Sequence, residues 1–101
     1  MRVMILFDLP AGTAAERKEY SRFRKFLIRN GFLMMQESVY TKIVLTPAAA
    51  AAVIRKVRFA APEEGLVQAL TVTEKQYAGM ELIVGDTEKE TIDSTERLVV
   101  L

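Results

Sequence analysis

An apolar run at the start of the chain constrains the fold more than any other feature of the sequence. Residues 3–7 are all apolar, Asp8 follows them, and Pro10 prevents the strand from continuing. Both alternating sets of side chains in this run are apolar, and such strands are usually buried on both faces of their sheet. The run therefore predicts a central strand that carries one carboxylate to its C-terminal edge.

Local signals divide the rest of the chain into two helices and four further strands. Thr13 and Glu16 have the spacing of a capping box and should start the first helix, which Gly31 should end. Thr46 followed by Pro47 indicates the start of the second helix. The strands predicted after the first one are residues 32–35, 38–45, 66–73 and 80–84.

This order is β-α-β-β-α-β with an additional C-terminal strand, the ferredoxin-like arrangement of an α+β domain. The 101 residues should form one domain, with a core over about residues 1–78 and a C-terminal strand and acidic tail over residues 79–101. Two helices cover only one face of the sheet, so a second copy of the chain is the simplest cover for the other face. We therefore predict a two-fold homodimer, with residues 79–101 at the dimer or partner interface. The apolar residues 98–101 belong to that segment.

The sequence contains no histidine and no cysteine. Their absence excludes histidine-based catalytic triads, thiolate chemistry and zinc sites built from these side chains. Any catalysis would depend on carboxylates, a hard metal ion or bound water. The segment before Asp8 is too short for a signal peptide or a membrane span, so we expect a cytoplasmic protein without a membrane partner.

The first predicted helix is the most basic segment of the chain. Lys18, Arg22, Lys25 and Arg29 are spaced by four, three and four residues, and they fall within about 60° of one another on a helix. We call these four residues the basic stripe; it lies opposite the apolar side, and Arg17 lies beside it. Solvation alone could explain a charged outer face, but six basic residues against two acids exceed what solubility needs. The basic stripe and Arg17 are therefore predicted to contact the phosphate backbone of double-stranded DNA.

Three segments of the chain resemble a known family. They are RVMILFDLP from Arg2, ERKEYSRFRKFLIRNGF from Glu16 and QESVYTKIVL from Gln36. Together with the length and the order of elements, they make the chain similar to the CRISPR-associated protein 2 family, most of all to members from type II systems. The resemblance implies a dimer in which the acids matching Asp8 come from both subunits near the two-fold axis. It also implies Mg²⁺-dependent cleavage of RNA or double-stranded DNA, and a role as the bridge between dimers of the CRISPR integrase.

Asp8 is the candidate metal ligand and catalytic residue, although a strand-end aspartate can also simply accept hydrogen bonds from the next turn. The metal role requires two-fold symmetry to bring two Asp8 carboxylates to one Mg²⁺, with Mn²⁺ as the alternative metal. Phe7 and Tyr40 are not expected to stack on bases, because the phrase typical of RNA recognition motifs is missing from the third strand. Phe7 is interpreted as a residue of the core or of the dimer interface. Ser38 should hydrogen-bond locally, and Lys42 should face solvent.

We expect a protein of CRISPR spacer acquisition that binds duplex DNA as a dimer and connects integrase dimers. The first alternative is a protein that is primarily a Mg²⁺-dependent endonuclease, which uses paired Asp8 carboxylates and cuts DNA or single-stranded RNA. The second alternative is a toxin-like or regulatory ferredoxin-like domain.

Overall fold

The structure, a computed structural model, describes residues 1–85, which form four strands and three helices. In chain order they are β1 (Arg2–Asp8), α1 (Ala14–Arg29), β2 (Leu33–Gln36), β3 (Val39–Ile43), α2 (Pro47–Ala60), β4 (Leu66–Val72) and α3 (Glu74–Ala78). The strands make one antiparallel sheet in the order β2-β3-β1-β4, with β1 between β3 and β4. The predicted ferredoxin-like α+β class is confirmed.

The capping box predicted at the start of α1 is present. The Thr13 hydroxyl accepts a hydrogen bond from the Glu16 amide at 3.1 Å, and the Glu16 carboxylate accepts one from the Thr13 amide at 3.0 Å. At the other end Gly31 takes a φ of 88°, which a glycine adopts without strain. The Lys42 ammonium donates to the Asn30 carbonyl at 2.6 Å, so the expectation that Lys42 faces solvent is wrong. The Lys42 ammonium places a positive charge at the C-terminal end of α1, which is the negative end of the helix dipole.

The helix α2 begins as its sequence predicts. Thr46 is the N-cap, and its hydroxyl accepts a hydrogen bond from the Ala49 amide at 3.0 Å, while Pro47 occupies the first helical turn. Val57 and Ala50 are the buried residues of this helix. The two long helices therefore start from short local signals that need no tertiary contact.

The helices cover one face of the sheet, and the main core lies between them. The odd-numbered residues of β1 point into it, because side chains alternate along a strand. The Phe7 ring meets the Phe23 ring edge-on at 5.3 Å between centroids and stacks against Tyr40 at 5.8 Å. Phe7 and Tyr40 are 6% and 1% exposed, so both are core residues and neither can stack on a base. Of the two positions considered for Phe7, the structure shows the core.

The other face of the sheet is also apolar; α3 contacts Arg2 at one end of it, and large side chains elsewhere on it stay exposed, so we call it the open apolar face. It is formed by the even-numbered residues of β1 and by the side chains level with them on the neighbouring strands. Met4 is buried between its neighbours, yet it does not belong to the core cluster under the helices. The large apolar side chains of this open face that remain exposed are Leu33, Ile43, Leu66 and Leu70.

The fifth strand predicted over residues 80–84 is absent from the described chain. A strand forms only where a neighbouring strand supplies hydrogen-bond partners, and these residues pair with none of the four strands. Met80, Leu82, Ile83 and Val84 are all at least half exposed. The acidic tail and the apolar residues 98–101 lie outside the described residues.

The short helix α3 was not predicted from the sequence. A capping box starts it: the Thr73 hydroxyl accepts from the Gln76 amide at 3.0 Å, and the Gln76 side chain accepts from the Thr73 amide at 2.9 Å. Arg2 holds this helix against β1, with its Nε 3.0 Å from the Glu74 carboxylate and its guanidinium 4.0 Å from the centre of the Tyr77 ring. None of the three helices in residues 1–85 has the length and hydropathy of a membrane span.

Candidate nucleic-acid and metal-binding site

Asp8 lies at the end of the sheet where three connections meet. It is the last residue of β1 and pairs with Leu66, the first residue of β4. The turn between β2 and β3 reaches the same end, because the Phe7 amide donates to the Ser38 carbonyl at 3.1 Å. As an even-numbered residue of β1, Asp8 belongs to the open apolar face and not to the helix-covered face. Its side chain is exposed.

The Asp8 carboxylate makes no hydrogen bond and no ion pair within residues 1–85. Within residues 1–85, Asp8 therefore does not accept hydrogen bonds from the following turn, which was the local role considered for it. An exposed carboxylate with free lone pairs can accept a hard cation. Among residues 1–85, however, no three acidic side chains come together as a metal-binding group. Within residues 1–85, Asp8 is therefore not part of a group of three or more acidic ligands, and a metal held there would need ligands from outside these residues.

Gly65 fixes the backbone beside Asp8. Its φ is 99°, and a Cβ on this residue would lie 2.9 Å from the Asp8 carbonyl oxygen and 2.8 Å from the Leu9 side chain. The start of β4 can approach the end of β1 this closely only because Gly65 has no side chain. This role of Gly65 was not predicted, since a glycine before a strand is an ordinary turn signal.

Ser38 adopts a left-handed conformation, with a φ of 66°, in the turn between β2 and β3. Its hydroxyl lies 3.3 Å from the Tyr20 hydroxyl, so the turn is tied to α1 as well as to β1. The hydrogen bonding predicted for Ser38 was local, whereas the partner of its hydroxyl is Tyr20, 18 residues earlier in the chain. The part played by Tyr20 was missed, because the spacing of Tyr20 indicates only an apolar position on the helix.

The structure places all four residues of the basic stripe, and Arg17, in exposed positions on α1. Two of these five are engaged by the protein itself. The Arg17 guanidinium donates to the Ala11 and Gly12 carbonyls, each at 3.3 Å. Lys18, Lys25 and Arg29 make no hydrogen bond or ion pair within residues 1–85, and these three are free to meet phosphate groups.

Arg22 is the second engaged residue. It forms an ion pair of 3.0 Å with Glu19 and donates to the Ala60 carbonyl at 2.9 Å, which links α1 to the end of α2. The hydrogen bonds from Arg22 lower the pKa of the Glu19 carboxyl, and the nearby positive charges act in the same direction. Glu19 is therefore ionised at neutral pH, and it offsets much of the charge that Arg22 would present to phosphate.

A cleft of about 540 Å³ lies beside this end of the sheet, between α1, residues 9–10 and residues 61–64. Its apolar lining includes Leu9 and Tyr20. Four carboxylate side chains also line it: Glu16, Glu19, Glu63 and Glu64. Such a lining repels phosphate, so a nucleic acid on α1 is expected on the side of Lys25 and Arg29, away from the cleft.

The family of the chain is shown by comparison with known proteins. A sequence model of the family described as CRISPR associated protein Cas2 matches residues 1–80. The chain belongs to the Cas2 family. A Cas2 family protein of Treponema denticola is 50% identical over 101 residues, and one of Ligilactobacillus salivarius is 45% identical over 101 residues; each alignment covers all of both chains. Both relatives are named "CRISPR-associated endoribonuclease Cas2".

A solved structure of Streptococcus pyogenes Cas2 at pH 6.5 has the same fold. The two structures superpose with a TM-score of 0.63 over 83% of this chain and 100% of that chain. At 21% sequence identity, this likeness shows the fold alone. The Cas2 family fold thus supplies the sheet end that carries Asp8 and the helix that carries the basic stripe.

Replacing Gly65 with alanine is expected to disturb the Asp8 end of the sheet. A Cβ at this position meets a backbone oxygen at 2.9 Å and takes an unfavourable φ, so Gly65→Ala should lower the free energy of unfolding by about 1–3 kcal/mol. Gly79→Ala is the matched control, because its φ is −79° and its Cβ would meet neighbours at 3.4 and 3.5 Å. Urea unfolding measures both variants; equal stabilities would contradict the argument.

Proposed function

We propose that this Cas2 family protein works as a homodimer that binds duplex DNA in CRISPR spacer acquisition and connects dimers of the integrase. The observation that carries the DNA-binding part is the set of exposed cations Lys18, Lys25 and Arg29 on one side of α1, which have no partner within residues 1–85. The place in spacer acquisition and the integrase partner are inferred from the family.

The open apolar face supports the dimer. Leu66 and Leu70 are each 53% exposed there, on the same side of β4 and beside the central strand. When such a face packs on the same face of a second chain, apolar surface is removed from water, which is favourable. A two-fold axis lets both chains use the same residues for this contact. A second copy of the chain carries the same apolar face and is present wherever the protein is made.

The same face carries Asp8, which supports a shared metal site. If two open faces pack together, the two Asp8 carboxylates belong to one interface. Mg²⁺ takes one or two carboxylates and completes its coordination with waters and phosphate oxygens, so two Asp8 side chains would suit it, and Mn²⁺ equally. When bound, such an ion would polarise a phosphate and lower the pKa of an attacking water. The contribution of this chain is to hold Asp8 exposed and free of hydrogen bonds to residues 1–85.

The basic stripe supports binding to phosphate without reading of bases. Lys18, Lys25 and Arg29 lie on the outer surface of a regular helix and can contact successive phosphates of one backbone. Contacts of this kind position a nucleic acid, carry no sequence information and weaken with salt. A protein that holds DNA of any sequence for insertion requires these properties.

The second candidate function is metal-dependent cleavage of RNA. It is favoured by the free, exposed carboxylate of Asp8 and by the relatives, whose names describe them as endoribonucleases. In this function single-stranded RNA is the substrate, and a pair of Asp8 residues holds the metal. Both functions use the same dimer.

Leu70→Glu should convert the dimer to a monomer, because it places a charge on the open apolar face while its exposed position spares the fold. Sedimentation equilibrium measures the mass, and circular dichroism confirms folding. Ile28→Glu is the control, since Ile28 is 46% exposed but lies on α1. A folded Leu70→Glu protein that stays dimeric would refute pairing through this face.

Lys25→Glu should weaken duplex binding several-fold and reduce its salt dependence. Removing one cation that touches a phosphate lowers the slope of log K against log salt by about 0.9 for duplex DNA. Lys75→Glu on α3 changes the net charge equally and should leave both quantities close to those of the wild type. Fluorescence anisotropy at several salt concentrations gives both values. If the two variants behave alike, binding does not involve the basic stripe.

Asp8→Asn should abolish any cleavage that requires metal, while dimerisation and duplex binding persist. The assay uses duplex DNA and single-stranded RNA with Mg²⁺, Mn²⁺ or EDTA, and sedimentation checks the dimer in each sample. Metal-dependent cutting by the wild type alone establishes Asp8 as the essential residue. Equal cutting by both proteins would show that Asp8 is not needed for cleavage. If neither protein cuts, the nuclease function is rejected and DNA binding alone is kept.

A further inference from the structure

Phe59 stands apart from every other aromatic residue in the part of the chain that the structure describes. It lies in the last turn of α2 and is 87% exposed, whereas the other phenylalanines and the tyrosines of residues 1–85 are buried or half-buried. The inward side of this helix is already occupied by Val57, which is 4% exposed. Phe59 therefore contributes nothing to the core, and its exposed ring is available to contact a ligand.

The surroundings of Phe59 are positively charged. Arg55 lies one turn earlier, about 40° from Phe59 around the helix, and Lys56 lies about 60° away on the other side. Arg58 precedes Phe59 directly. The whole of α2 contains no acidic residue, and within residues 1–85 its three cations form no ion pair. We call Arg55, Lys56, Arg58 and Phe59 the aromatic-basic patch.

The aromatic-basic patch adjoins the helix that carries the basic stripe. Lys56 lines a small cavity of about 40 Å³ together with Phe26 and Asn30 of the α1 end. Arg22 of the basic stripe donates to the Ala60 carbonyl, the residue after Phe59. On the side away from the acidic cleft, a nucleic acid that follows α1 past Lys25 and Arg29 can therefore reach the end of α2 beside Lys56.

We propose that the aromatic-basic patch binds single-stranded nucleic acid by stacking an unpaired base on the Phe59 ring. Arg55, Lys56 and Arg58 hold the phosphates on either side of that base. The ligand must present an aromatic face together with repeated negative charge, and an unpaired nucleotide chain does both. Bases inside a duplex are stacked on one another, so they cannot use this ring. An acidic protein partner would also bury such a ring, and the affinity test below separates it from an unpaired nucleotide.

This inference deepens the proposed function, since it rests on nucleic acid following the surface of the helices. It adds a separate binding site, on α2, for unpaired RNA or for an unpaired DNA segment next to the duplex held by α1. The shared chemistry is a base and its phosphates, and the two sources are separated by comparing RNA and DNA oligonucleotides.

The experiment uses the absence of tryptophan from the sequence. Phe59→Trp introduces a single fluorophore into the full-length dimer, and a base that stacks on it should quench its emission. The probes are single-stranded RNA of about ten nucleotides, long enough for one protein site, the corresponding DNA, and a blunt duplex. Leu45→Trp is the control, because Leu45 is 90% exposed and precedes the opposite end of α2. The expected result is quenching by the single strands in the Phe59→Trp protein and in no other combination.

Phe59→Leu completes the test by affinity. It should weaken binding of the single strands by about 5- to 100-fold, which is the range of one base–aromatic stack, and leave duplex affinity unchanged. Phe59→Tyr should restore most of the loss, since it keeps the ring. Unchanged single-strand affinity in Phe59→Leu, with duplex binding intact, would overturn this inference and assign the ring to a protein contact. Failure of the wild type to bind any of the probes would instead overturn the proposed function as well.

Discussion

The rest of the structure depends on one constraint: β1 carries apolar side chains on both of its faces. Its odd-numbered residues, such as Val3 and Ile5, are fully buried under the helices. Its even-numbered residues belong to the open apolar face, on which Leu66 and Leu70 of β4 stay exposed. Since β1 also has a hydrogen-bonded strand on each side, neither its position nor its register can shift. The place of Asp8 on the open face follows directly from this register.

The features that could be predicted from the sequence are those encoded within a few residues. Thr13 with Glu16, and Thr46 with Pro47, start their helices through contacts within one turn, so the order of elements and the α+β class follow from local pattern. The open apolar face was predicted for the same reason, since alternation along one strand is local. The exposed position of Asp8 also follows, because a strand that ends at a charged residue ends at the surface.

The features that could not be predicted depend on residues distant in the sequence. Arg22 is equivalent to Lys25 in spacing, yet it contacts a carbonyl 38 residues later, and only the packing of the two helices decides this. Residues 80–84 have strand composition but find no partner strand in the described chain. Gly65 shows the same limit, since the need for a glycine arises from the backbone of Asp8 across the sheet.

The fold places the proposed nucleic-acid-binding surface and the proposed metal site on opposite sides of the sheet. Asp8 belongs to the open face of the sheet, whereas Lys25 and Arg29 lie on the outer side of a helix that covers the opposite face. A phosphate on the basic stripe of one chain is therefore separated from the Asp8 carboxylate of that chain by the layer of α1 and the sheet. A nucleic acid held only on the helices does not depend on Asp8. One that reaches a metal at Asp8 must follow the edge of the sheet, where two packed open faces would bring both chains together.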